Sequence, residues 1–165
     1  MANKFQGQVN ILPAIGVPGQ HMSTNPLVST QKGYCAADTV TIGGFVWAAT
    51  TVNNNDAFVK STGKGGAPLG FAVREITNPL GYNKSDSNTV PKGFPVSVAV
   101  KGDFAVVTGT AATVGQSVFA VLADGSIKTG AADGTVDGAV KTDYKVVNIN
   151  GGGAKGDIIV ISNWA

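Results

Sequence analysis

An all-β fold, a compact β-barrel or β-sandwich (jelly-roll-like) with an extended N-terminal arm, is what three features of this 165-residue chain predict. The first is residue usage: 22 Val and 15 Thr stand against 5 Leu, one Glu (Glu75) and one Arg (Arg74), so helices lack their natural building blocks. The second is the 23 Gly, which cost about 1 kcal/mol each against Ala inside a helix but suit turns. The third is a repeat. TIGGFVWA at residues 41–48 returns as TVGQSVFA at 113–120, and each copy continues into a polar turn and a second apolar run.

Taken in order, residues 1–33 read as the arm and residues 34–165 as one β-domain. Pro13, Gly16, Pro18, Gly19, Pro26 and Gly33 stop any helix or central strand in the arm. Its apolar side chains, among them Phe5, Val9, Ile11, Leu12, Ile15, Val17, Leu27 and Val28, call for a surface to lie on, either the chain's own core or a neighbouring subunit. From Thr39 onward short strands follow closely. Phe45–Thr51 ends at Asn53–Asp56, where short polar side chains suit a turn, and Ala57–Ser61 returns. LGFAVREIT follows, then an outward loop over 78–93. Val96, Val98 and Val100 alternate with Ser97, Ala99 and Lys101, which predicts one buried and one partly exposed face. Gly102 and Asp103 make a turn or bulge before FAVVTG. Asp124 with Gly125 signals a hairpin after the second repeat copy. A glycine-rich loop over 133–138 precedes Tyr144–Asn150, and Asp157 opens IIVIS, an apolar run expected to be covered on both faces. About eight to ten strands are expected.

Composition and motifs argue against most chemistry. A lone Cys35, read as a small buried hydrophobe, forms no internal bridge or zinc site. The net charge of +2 comes with scattered Lys, so no basic stripe for nucleic acid is expected. Apolar runs fall short of the roughly 20 residues of a membrane helix. The N-terminus lacks a secretory pattern, which predicts synthesis in a cytoplasm. GGGAKG at 151–156 has dinucleotide-fingerprint spacing but precedes a strand, so it reads as a hairpin loop. TGKGG at 62–66 lacks the remaining positions of a phosphate loop. His21, the sole histidine, sits in the irregular arm, a poor place for a general base. Asp124, Asp133 and Asp137 precede Gly in turns, and Arg74 and Glu75 alternate across a strand, one of them able to turn inward. No catalytic residue, cofactor or metal site is expected.

The segments PAIGVPGQHMSTNPLVST, GYCAADTVTIGGFVWAA, LGFAVREI, VPKGFPVSVAVKGDFAV and VGQSVFAVLADG together resemble the structural cement, or capsid decoration, proteins of tailed bacteriophages. The likeness covers most of residues 9–125 and rests on the order and spacing of Pro13–Ala14, Asn25–Pro26, Gly44–Ala48, Gly70–Glu75, Gly102–Asp103 and Gly115–Ala120. It implies a non-enzymatic virion protein on the outer capsid surface that bridges capsomers and stabilises the shell. Its implied partners are the phage major capsid protein and itself, as homodimer or homotrimer, with no nucleic acid or membrane. The arm carries the expected contacts: Val9, Ile11, Leu12, Pro13, Ile15, Val17, Asn25, Pro26 and Leu27. Three other readings remain open at this stage. They are a tail or receptor-binding component, a carbohydrate-binding β-module using an exposed aromatic such as Trp164, and a β-sandwich hydrolase using Glu75.

Overall fold

The computed structural model describes residues 16–30, 33–49, 58–75, 88–149 and 152–164, and among these described residues short β-branched runs punctuated by glycine give fourteen strand segments and no helix. In order they are β1 (Val28–Ser29), β2 (Tyr34–Ala36), β3 (Val40–Thr41), β4 (Phe45–Ala49), β5 (Phe58–Lys60), β6 (Gly70–Ala72) and β7 (Thr89–Val90). The second half adds β8 (Pro95–Val96), β9 (Val98–Lys101), β10 (Asp103–Val107), β11 (Ser117–Val121), β12 (Ile127–Gly130), β13 (Ala139–Asn148) and β14 (Ile158–Ser162). The number exceeds the expected eight to ten because single residues divide continuous runs. Ser97 separates β8 from β9, and Gly102 separates β9 from β10.

The architecture is a sandwich. A seven-stranded sheet, β1-β9-β6-β4-β5-β2-β8, faces a five-stranded antiparallel sheet, β10-β14-β13-β11-β12, and β3 and β7 form a small third pair. Between the two large sheets lies an aromatic core in which Phe71 stacks on Phe104 at 4.4 Å and Phe45 meets Phe71 and Tyr144 edge-on at 5.6 and 5.5 Å. Burying each of these rings removes enough apolar surface from water to stabilise the fold by roughly 1.5–3 kcal/mol. The seven-stranded sheet is strongly curled, since β1 and β2 pair in turn with β9 and β8, which are one run of chain. Inside the curl a second core gathers Val46, Val59, Ala72, Val96 and Val98, closed over by Val40 and Val90 of the small pair.

Three expectations about exposure change. Residues 96–101 do not present one wet face, because Val98 enters the second core while its neighbour Ala99 enters the first. A strand between two cores is buried on both sides, and Val100 becomes exposed only where the second core ends. The outward loop over 78–93 is cut short, since Thr89–Val90 is a strand and Val90 is buried; residues 78–87 and the Asn53–Asp56 turn lie outside the described residues. Cys35 is half-buried and free, less enclosed than expected, because β2 lies beside the exposed residues Phe94 and Pro95 at the rim of the sheet. Other readings stand. Gly43 and Gly115 both turn with positive φ, +84° and +88°, immediately before β4 and β11. β14 is covered on both faces, and 151–156 falls within the β13–β14 connection, where Asp157 accepts from the Gly153 and Ala154 N–H groups at 3.0 and 2.9 Å.

Candidate functional site

The chain crosses from one sheet to the other between β9 and β10, and the described part of the arm follows it around the corner. Ser29 pairs with Ala99, and Thr30 donates its N–H to the Val98 carbonyl at 2.9 Å. Beyond the corner, Met22 N–H donates to the Asp103 carbonyl at 2.8 Å, Ala105 N–H to Gln20 at 2.9 Å, and Gly19 N–H to Ala105 at 2.8 Å. Residues 19–30 therefore cover an edge of each sheet, which answers the unpaired backbone that edges leave. The arm segment that the structure describes lies on the chain's own body.

Asp103 holds the corner. Its buried carboxylate accepts from Asn25 Nδ2 at 2.7 Å and from Ser23 Oγ, both on Oδ2, with the Ser162 hydroxyl close by. Burial alone would raise its pKa, but these donors and the nearby His21 outweigh it and hold the carboxyl below its ordinary value. Burial, with the charges of Asp103 and Asp143 added, pushes the Tyr144 phenol up. His21 rests edge-on against Phe104 with ring centroids 6.0 Å apart. Ser23 bonds directly to the carboxylate and not through an imidazole, so these three residues do not form a nucleophilic relay. Among the described residues no group of three or more His, Cys, Asp or Glu could hold a metal ion.

Arg74 is the inward member of the Arg74–Glu75 pair. Its Nε donates to Pro18 O at 3.0 Å, its Nη2 to Asn88 Oδ1, and its backbone N–H to Gly19 O at 2.9 Å, while Glu75 is exposed. A lone arginine thus fixes the start of the described arm, as Asp103 fixes its bend. Both roles escape a linear reading, because the partners lie 56 and 78 residues away. The turn-forming Gly102–Asp103 dipeptide and the isolated charge of Arg74 were the available signals.

Of the nine expected contact residues, Val9, Ile11, Leu12, Pro13 and Ile15 lie outside the described residues. Val17, Asn25, Pro26 and Leu27 are exposed, although the Asn25 amide is tied to Asp103. The fold brings further residues beside Leu27: Val28, Val100 and Trp164. These four large apolar side chains are each 38–42% exposed around the Lys101–Gly102 corner. The Lys101 ammonium sits 4.7 Å from the Trp164 ring centroid, and Asn163 ties the C-terminal segment down by accepting from Gly102 N–H and donating to Val100 O. Trp47, by contrast, is buried, with its Nε1 donating to Gly66 O at 3.2 Å. Exposed apolar side chains gathered around one corner suit an interaction surface.

Comparison with known proteins places this geometry. A chain of the capsid of Myoviridae phage XM1 overlays with a TM-score of 0.59 at 16% identity, covering 96% of both chains. The head fiber gp8.5 N base of bacteriophage phi29 gives 0.49 at 15% identity, over 83% of this chain and 93% of that one. No curated protein matches the sequence. The family described as XM1 gp53 minor capsid protein matches residues 5–163. With nearly the whole chain matched, the protein belongs to the XM1 gp53 minor capsid protein family and is a capsid-associated structural protein of a phage virion.

Proposed function

We propose that the protein decorates the outer surface of the assembled capsid, binds the major capsid protein and bridges capsomers as a homo-oligomer, without enzymatic activity. The observation that carries this reading is the corner patch of Leu27, Val28, Val100 and Trp164, drawn from three separate parts of the chain and held in place by Asp103 and Asn163. A surface assembled that deliberately from the arm, β9 and the C-terminus suits docking against a second protein, and many symmetric copies multiply modest contacts. Arm residues Val9, Ile11, Leu12, Pro13, Ile15, Val17, Asn25, Pro26 and Leu27 extend the contact from the patch. In this reading the carboxylate of Asp103 serves the interface by shaping it.

Labelled protein added to undecorated capsids tests the proposal. The double substitution Leu27→Ser and Trp164→Ala should lower occupancy at least tenfold while the circular dichroism spectrum stays that of a folded β-protein. Removal of residues 2–15 should weaken binding further and leave the body folded, because residues 19–30 still cover β9 and β10. Unchanged occupancy in both variants would overturn the assignment, and label confined to the tail would move the protein to that part of the virion.

A further inference from the structure

β4 and β6 part early. Their pairing ends at Val46 opposite Gly70, with Leu69 N–H donating to Val46 O at 2.8 Å, while β4 runs on to Ala49 beside β5. The segment TGKGG at residues 62–66 lies between β5 and β6, and its glycines fasten it to Trp47. Gly63 N–H donates to Leu122 O at 2.8 Å, and Gly63 lies so close to the Trp47 indole that a Cβ would stand 2.6 Å from Cε2. Gly66 O accepts from Trp47 Nε1 at 3.2 Å, and Gly65 and Gly66 turn the loop with φ of +111° and +80°. Lys64 is thus carried on a loop held to a buried tryptophan on either side of it.

Lys60 reaches the same place from β5. It stands opposite Trp47 in register, on the same face of the sheet, and is half-buried. Lys60, Lys64, Trp47, Ala48, Ala67 and Leu69 line a cleft of about 390 Å³, and among the described residues no Asp or Glu lines it. Neither ammonium forms an ion pair or hydrogen bond with the described residues. Two like charges in one cleft, set by a strand and a fastened loop, form a site for a carboxylate.

The cleft adjoins the corner patch. Its walls Ala67 and Leu69 also line a second hollow of about 220 Å³, together with Gly70, Val100 and Asn163, and the Lys141 and Asp143 of that hollow offset each other in charge. Val100 belongs to the patch, and Asn163 precedes Trp164. A protein docked on the patch therefore meets the two lysines along one continuous surface. We propose that the Lys60–Lys64 cleft receives an acidic side chain, an Asp or Glu carboxylate, of the capsid protein that the patch docks on. The patch supplies contact area, and the lysines select the partner and its orientation, since charges set in a cleft attract a carboxylate over long range and penalise a basic surface. The inference rests on the capsid docking in the proposed function and adds the charge of the partner's contact surface.

Labelled protein on undecorated capsids tests it, with the Trp47 indole N–H resonance checking that the loop is still fastened in each variant. Lys60→Glu with Lys64→Glu should lower occupancy at least tenfold, and Lys60→Arg with Lys64→Arg should keep it. Added salt should weaken the wild type far more than Lys60→Gln with Lys64→Gln. Where the Glu pair disturbs the indole resonance, the Gln pair carries the comparison. Full occupancy with both lysines replaced, while Leu27→Ser with Trp164→Ala still fails to bind, overturns the cleft and leaves the capsid reading standing. A wild type that binds no capsid overturns both. Peptides supply the second arm: hexaglutamate titrated into the isotope-labelled protein should shift the Trp47 indole resonance, and hexaglutamine should not. Equal responses to the two peptides overturn the recognition of charge.

Discussion

The two copies of the repeat share a turn and a strand but bury opposite faces. In the first, Phe45 and Trp47 point into the core between the sheets and Val46 into the second core; in the second, Val118 and Ala120 point into the first core, and Phe119, expected to match Trp47, is buried on the far side against Gly130. The residues before the glycine diverge as well. Ile42 is 3% exposed and Val114 is 61% exposed. The difference lies in what covers each copy: the Pro18–Gly19 turn of the arm packs on Ile42 and Gly43, whereas a Cβ on Gly115 would meet no atom within 4 Å. Local sequence sets the turn and the alternation, and distant chain decides which face is inside.

Substitutions at matched positions test that contrast, with the largest effect first. Ile42→Ala should destabilise the fold by about 2–5 kcal/mol and Val114→Ala by no more than about 0.5 kcal/mol in urea titrations. Equal losses would remove the distinction between the copies. Gly43→Ala should cost about 2–3 kcal/mol, because its Cβ would stand 2.9 Å from Gly19 N and Pro18 Cβ in addition to the positive-φ strain. Gly115→Ala should cost about 1 kcal/mol, the strain alone, since no atom lies within 4 Å. Finally, pH should act on the first copy through the arm. The Asp103 carboxyl is held below its ordinary value when folded. Its stabilisation is therefore complete above about pH 4 and is lost as pH falls through the folded value. Asp103→Asn should be less stable by about 1 kcal/mol at pH 7 and should show a shallower acid dependence; a wild-type profile in that variant would detach Asp103 from the arm.

The fold class was legible because composition and glycine spacing act locally. The turns at Gly43, Gly115 and Gly125, the strand at Ile158–Ser162 and the burial of Trp47 follow from neighbouring residues. The face taken by Phe119, the double burial of β9 and the Asp103 corner were not legible, because each depends on chain packed from elsewhere. The patch was visible only in part: Leu27 and Trp164 stood out as exposed apolar residues, but their proximity is a product of the β9–β10 crossing.

The arm's bend has a consequence for how the molecule is made. Ser23 finds Asp103 80 residues later, and Asp103 in turn sits opposite Ser162 at the end of the chain. On a ribosome adding about 5–20 residues per second, those 80 residues take roughly 4–16 s. Throughout that interval the N-terminal segment has no edge of its own to join, and contacts so far apart in sequence form slowly in any case. The arm is the first part synthesised and among the last to be fastened.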